Sequence, residues 1–206
     1  MKYWYALSFL FFLSAPVSSD VDVNILEEFE AASRVANSGN HELALKLFKQ
    51  CAKNENPKCH FALGTYAYFG DGGVNQDYQT AFEHLQKSVA GGFGPAMYLT
   101  ALMYQDGQGV KADSQEAMKY LEKAAYKCVA QAQDELAHYL LNHKGPNSRL
   151  NASIWFSLAA NQHYQPAKES LINILSTADQ DFKKAFAQQQ KALEQQLDCD
   201  EFPIYK

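Results

Sequence analysis

The sequence has no stretch rich in lysine or arginine, and its 18 basic residues face 23 acidic ones for a net charge of −5. The electrostatic footprint of a nucleic-acid or anionic-lipid binder is therefore missing. The apolar run near the start, Ala6 to Ala15, falls well short of the roughly 20 residues that span a bilayer, so stable membrane insertion is not expected. No Cys-x-x-Cys pair occurs, and no Cys–His grouping has zinc spacing. Gly-x-Ser-x-Gly, Ser-x-x-Lys and Lys-Thr-Gly are also absent. Catalytic residues, metal and cofactor are accordingly all assigned as none. Beta-branched residues are sparse, while Ala, Leu, Gln, Lys and aromatics abound, so the chain reads as nearly all helical.

What is present begins with "MKYWYALSFLFFLSAPVSS", residues 1–19, with a charge at Lys2, an apolar core and small residues at Val17 and Ser19. This is the layout of a secretory signal peptide cut before Asp20. No cysteine lies near that cut, so lipid attachment is not expected. The expected location is periplasmic or secreted.

The rest is written in copies. Ala81, Ala117 and Ala152 open the related phrases "AFEHLQKSVAGG", "AMKYLEKAAYKC" and "ASIWFSLAANQH", at intervals of 36 and 35 residues. Ala96, Ala132 and Ala167 follow them at the same intervals, and Ala44 in "LALKLFKQCAKN" precedes Ala81 by 37. A fixed period in this range marks stacked helix-turn-helix units. In the first helix of a unit, Cys59, Leu63, Tyr66 and Ala67 form an apolar stripe, as do Ala96, Thr100, Met103 and Tyr104 one copy later. Ala117, Tyr120, Leu121, Ala124 and Ala125 do the same in a second helix. Gly64, Ala101 and Ala137 are small where helices should cross closely. Asp77 and Asp113 are expected N-caps, and Asn151 is read as the cap of a later helix rather than as the acceptor of its Asn-Ala-Ser sequon. A hairpin of this kind cannot bury both faces alone, and stacking covers them.

Between the helices stand "YFGDGGVNQD" (68–77) and "YQDGQGVKAD" (104–113). A dinucleotide-type phosphate cradle needs a strand before its glycines and a helix opening directly on them. Here a helix precedes the glycines and the next begins only after the aspartate. Gly70, Gly72, Gly73, Gly107 and Gly109 are therefore turn residues supplying positive φ.

Four cysteines, Cys51, Cys59, Cys128 and Cys199, form an even set in a secreted context, which favours disulfides over buried thiols. In one continuous helix Cys51 and Cys59 would lie about 12 Å apart, beyond the roughly 4.4–6.8 Å that a bridge spans. They can join only if "NENP" (54–57) turns the chain back. Cys128 and Cys199 are what remains. Spacing leaves them open to either state, bridged or free.

These copies resemble the Sel-1-like repeat family. "GQGVKADSQEAMKYLEKAA" (107–125) carries its pattern most fully, and "LGTYAYFGDGGVNQDYQTAFEHLQKSVAGG" (63–92) does so with one extra turn residue. "LAHYLLNHKGPNSRLNASIWFSLAA" (136–160) has lost Gly-x-Gly-Val. The resemblance covers roughly residues 29 to 170. It implies an all-α fold, a right-handed α/α superhelix (solenoid) of helix-turn-helix repeats, and a role as an adaptor. The Cys-x7-Cys spacing resembles that of the family's cysteine-rich secreted members. Some of those are linked to penicillin binding and weak β-lactam hydrolysis, and others serve envelope machines such as a flagellar motor. By analogy with tetratricopeptide geometry, Phe61, Tyr68, Tyr98, Gln105, Asp134 and His138 would face the concave groove. Aromatic side chains there suit a protein or peptide partner, or a cell-wall glycan. Packing against a neighbouring helix is the competing reading.

The expected organisation is a signal peptide (1–19), a degenerate repeat (20–57), two repeats (58–94, 95–130), a degenerate repeat (131–166), capping helices (167–198) and a loose tail (199–206). The last helix, "DQDFKKAFAQQQKALEQQL", is capped by Asp179 and should turn Phe182, Phe186, Ala187 and Leu193 to one side. "HELAL" at His41 lacks the second histidine of a zinc protease helix. His60, His84, His138, His143 and His163 show no ligand spacing.

Overall fold

The structure is a computed structural model that describes residues 20–143, 145–197 and 199. The signal-peptide expectation (1–19) and all of the expected loose tail except Cys199 lie outside these residues. Among the described residues there are ten helices and no strand. They are α1 (Asp20–Asn37), α2 (His41–Ala52), α3 (Pro57–Phe69), α4 (Tyr78–Ala90), α5 (Gly94–Asp106), α6 (Ser114–Tyr126), α7 (Ala130–Asn142), α8 (Ser148–Asn161), α9 (Gln165–Ser176) and α10 (Gln180–Glu194). The fold class is all-α, built from consecutive helix pairs. The chain divides into two compact units, residues 1–117 and 118–206.

In the first unit, α1 packs on α2, α2 on α3, α3 on α4 and α4 on α5. Small side chains let them approach. Ala32, Ala44, Cys59, Ala81 and Ala96 are fully buried, and Phe29, Phe48, Tyr66, Leu85 and Met103 fill the space between. Gly64 lies where α3 crosses α4, and a Cβ there would sit 2.9 Å from Leu85 Cγ. The second helices start on polar caps. Asn40 accepts from Leu43 N, Asp77 from Thr80 N, and Asp113 from Gln115 N and Glu116 N. Each cap satisfies otherwise orphaned N–H groups of the first turn.

The two glycine turns are superimposable in their bonding. Gly70 and Gly107 close α3 and α5 in the left-handed region, at φ 71° and 70°. Seven and six residues later, Asp77 N donates to Ala67 O (2.8 Å) and Asp113 N to Tyr104 O (2.9 Å). That bond returns the chain to the helix it left, with no strand and no helix opening on the glycines. They are turn residues.

In the second unit, α7 packs on α8, α8 on α9, and α10 on α8. Its core holds Ala132, Leu136, Ala137, Ala152, Phe156, Leu158 and Ala159, all essentially buried. Asn151 is not a cap. It lies within α8, and its N–H donates to Asn147 O (2.9 Å). Asn147, at φ 64°, is where the chain enters that helix. With Gly-x-Gly-Val lost, the third turn is shorter, and the helix still starts within one residue of the repeat register, which sets the cap four residues before Ala152. Asp179 does cap α10, accepting from Phe182 N (2.8 Å). On α10 the half-buried residues are Phe182, Ala185, Phe186, Gln190 and Leu193, whereas Ala187 is exposed. Three- and four-residue steps from Phe182 reach Ala185 and Phe186. A five-residue step to Ala187 leaves the stripe.

Both cysteine pairs are joined. Cys51 and Cys59 bridge the end of α2 to the first turn of α3, with Cα atoms 6.0 Å apart. The chain turns back between them through Glu55 at φ 56°. Cys128, in the turn between α6 and α7, pairs with Cys199 at a Cα separation of 5.4 Å.

Candidate partner-binding surfaces

The six residues expected to face a partner fall in both units. Phe61 and Tyr68 on α3, with Tyr98 and Gln105 on α5, belong to the first; Asp134 and His138 on α7 belong to the second.

In the first unit the aromatics are half-buried and Gln105 is exposed. Phe61 stands edge-to-face on Phe93, the residue that leads into α5, with ring centroids 5.1 Å apart. Tyr68 is held more tightly. Its hydroxyl donates to Gln108 Oε1 (2.7 Å), its ring meets Tyr78 edge-on at 5.3 Å, and Gln108 Nε2 donates to the Tyr78 hydroxyl at 3.4 Å. Burial, followed by the neighbouring Tyr78 and Asp106, pushes the Tyr68 phenol above its ordinary pKa. Phe61 thus packs on the last residue of its own repeat and Tyr68 reaches the following one through Gln108, packing of the kind the competing reading expects. Their outer edges stay exposed to solvent in part. Tyr98, half-buried, and Gln105, exposed, lie two turns apart on the same helix.

In the second unit Asp134 is 7 % exposed. One carboxylate oxygen lies 3.8 Å from Nε2 of the exposed His138, and the other has no hydrogen-bond partner among the described residues. Burial raises the Asp134 pKa, and the nearby His138 opposes that rise. His138 in turn packs edge-on against Phe156 at 4.9 Å. An acid and an imidazole share one helix face here, and no serine or cysteine nucleophile takes part in this contact.

Sequence reasoning passed over two polar clusters. In the second unit Gln133 is wholly buried; its amide donates to Ala125 O (3.0 Å) and accepts from Gln162 Nε2 (2.8 Å). In the first unit His60 stands at the same repeat position as Gln133. Its Nδ1 lies 3.1 Å from Nδ1 of His84 on α4. The signal for both was a polar residue in a position next to the invariably small one, Cys59 or Ala132. The partner was hidden because it comes from the other helix of the pair. Among the described residues no three metal-ligating side chains converge, so the histidine pair stands without a further ligand.

Compared with known proteins, the Sel1 repeat matches three successive segments, residues 57–93, 94–127 and 130–164. An uncharacterized protein of Neisseria meningitidis serogroup B is 33% identical over 137 residues, which is 66% of this chain but 28% of that protein. The chain therefore spans less than a third of that relative's length. Two solved structures are similar in fold. A Sel1 repeat protein from Oxalobacter formigenes aligns with a TM-score of 0.65 and 24% identity, over 84% of this chain and 75% of its own. A protective antigen of uropathogenic Escherichia coli with an SLR fold aligns at 0.55 and 16% identity, over 84% of this chain and 46% of its own.

Proposed function

The chain belongs to the Sel1 repeat family, whose members generally act as protein-interaction modules, and on that premise we propose a non-catalytic adaptor working outside the cytosol. It holds a protein or peptide partner through the first helices of its repeats, by Tyr98 and Gln105 with the edges of Phe61 and Tyr68 in the first unit, and by Asp134 and His138 in the second.

One observation carries this reading. At equivalent repeat positions the chain keeps Cys59, Ala96 and Ala132 small and wholly buried. Two residues further on, it varies freely from Phe61 to Tyr98 to Asp134, and Tyr68 gives way to Gln105. Repeats that share a core but diverge on one surface register are built for stacking inside and for recognition outside. The two disulfides support an oxidising compartment.

The test is affinity capture from the native envelope fraction with the full chain. Tyr98→Ala combined with Gln105→Ala, and separately His138→Ala, are run beside it. A partner recovered by the parent and lost with either variant supports the proposal. Equal recovery by all three moves the interface elsewhere. Recovery of polysaccharide instead of protein would replace the peptide partner by a glycan.

A further inference from the structure

The histidine pair of the first unit plays no part in the partner surface, and its geometry is demanding. His60 is 3 % exposed, and its Nδ1 is 3.1 Å from Nδ1 of His84, with ring centroids 5.4 Å apart. A hydrogen bond between two Nδ1 atoms needs a proton on one and a lone pair on the other. The neutral pair meets that need, and so does a pair carrying one extra proton. Two imidazolium rings do not: two N–H groups would face each other across the same gap, with two like charges behind them.

We propose that His60 and His84 form a proton-operated latch between α3 and α4, closed while the pair holds at most one extra proton and released when it takes up a second. The surroundings set its direction. Lys49 on α2 and Lys87 on α4 face the pair with positive charge, and Glu55 in the α2–α3 turn and Glu83 on α4 face it with negative charge. The carboxylates do not close on it. Glu55 Oε2 stays 3.8 Å from His60 Nε2, which has no close hydrogen-bond partner among the described residues, although the Ala52 main chain, like Glu55, favours its charged form. Burial, then Lys87, lowers the His60 pKa; burial, then His60 and Lys87, lowers that of His84. The same two lysines make the pocket a poor seat for a metal cation.

The sign follows from linkage. A depressed folded-state pKa means that the unfolded chain binds protons first as pH falls. The pair's contribution to stability is therefore complete above the unfolded histidine value of about 6.5 and is lost as pH falls through the folded-state values, the release itself coming with the second proton. Release has a defined hinge. The bridge from Cys51 to Cys59, the residue next to His60, keeps α2 and α3 joined. Loosening therefore falls on the α3–α4 side, where Gly64 meets Leu85.

Two measurements on the full, disulfide-intact chain test this. In imidazole-detected NMR titration, His60 and His84 should take up protons in two separated steps, the second well below the ordinary histidine value of about 6.5. Two resonances that both titrate near that ordinary value overturn the latch. In parallel, amide exchange over α3 and α4, corrected for intrinsic pH dependence, should accelerate at least about tenfold between pH 7.5 and pH 5. His84→Gln, which keeps a hydrogen-bonding side chain but cannot charge, should abolish most of that acceleration. An unchanged acceleration in that variant also overturns the proposal. Should the variant not fold, the titration of the parent chain decides alone.

Discussion

Gly109 lies directly against the main chain of Tyr78, so that a Cβ added to it would collide with the Tyr78 carbonyl. One repeat earlier a Cβ on Gly72 would meet side chains instead, 2.7 Å from Tyr66 Cε1 and 2.8 Å from His41 Cβ. Tyr78 and His41 are each the first residue of a second helix. The turn glycines thus seat each repeat on the start of the preceding repeat's second helix. That close approach accounts for Gly72 and Gly109, and the left-handed backbone for Gly70 and Gly107.

Gly109→Ala should therefore cost more than a left-handed residue alone. Placing a side chain at φ 68° costs about 1–2 kcal/mol, and displacing a backbone neighbour adds about 1–3 kcal/mol. For a chain this size the thermal midpoint should fall by roughly 4–20 °C. Gly73→Ala is the control, since φ is again positive but nothing lies within 4 Å. It should lose only the conformational share. Equal losses for the two, read by circular dichroism melts, would show that the seat on Tyr78 contributes nothing.

The two disulfides close loops of very different length, with sequence separations of 8 and 71. Chain-entropy reasoning assigns on the order of 2.6 kcal/mol to the short one and 4.4 kcal/mol to the long one. A non-reducing peptide map should return Cys51 with Cys59 and Cys128 with Cys199, without free thiol. Cys199→Ser should destabilise more than its half-buried position suggests, by several degrees in a melt under oxidising conditions. Under full reduction the parent and Cys199→Ser should melt close together; a gap that persists there would assign the loss to packing instead.

Asp134 should make the second unit sensitive to pH in the opposite sense to the histidine pair. Its carboxyl pKa is raised by burial, so its contribution is complete below the unfolded value of about 3.9 and is lost as pH rises through the folded value. Asp134→Asn removes the charge at nearly constant volume. It should raise the thermal midpoint at pH 7.5 by a few degrees, equivalent to about 1 kcal/mol. The advantage should vanish near pH 4. An advantage that is constant with pH would point to packing rather than ionisation.

Much of this was legible in the sequence where the cause is local. Asp77, Asp113 and Asp179 read as caps because a cap is a bond between neighbours in the chain. The alanine register read as the core because small residues repeat where helices touch. Asn151 misled because a capping residue type was followed instead of the repeat register, which sets the cap four residues before Ala152 and within one residue of the observed Asn147. Ala187 misled because helical phase near the chain's end has no repeat to fix it. Phe61, Tyr68 and His60 resist sequence reasoning for a shared reason. Their contacts, Phe93, Gln108 and His84, come from elements 24 to 40 residues away. Which edge of an aromatic is covered depends on how two helices are rotated, and periodicity does not carry that information.

Arg149 holds the corner at which the second unit ends. Its guanidinium donates to Ile174 O (2.9 Å) and to Thr177 Oγ1 (2.7 Å), and lies 5.0 Å from the centre of the Phe182 ring. One side chain from α8 therefore grips the end of α9 and the first turn of α10. No residue of α10 is fully buried, so Arg149 shares the task of holding it with the half-buried stripe against α8 and the Cys128–Cys199 bridge beyond its end. Arg149→Ala should raise amide exchange and proteolytic cleavage across residues 177–194 while leaving α7 and α8 unchanged. The loss should be about 1–3 kcal/mol, the usual worth of charge-assisted bonds. Both bonds leave one nitrogen, Nη2, so Arg149→Lys, whose ammonium also carries several donors, should recover part of the bonding but not the flat contact with the Phe182 ring. If Arg149→Lys matched the parent, charge alone would be holding the corner. If exchange rose equally in α7 and α8, α10 would be part of the unit's core rather than a cap upon it.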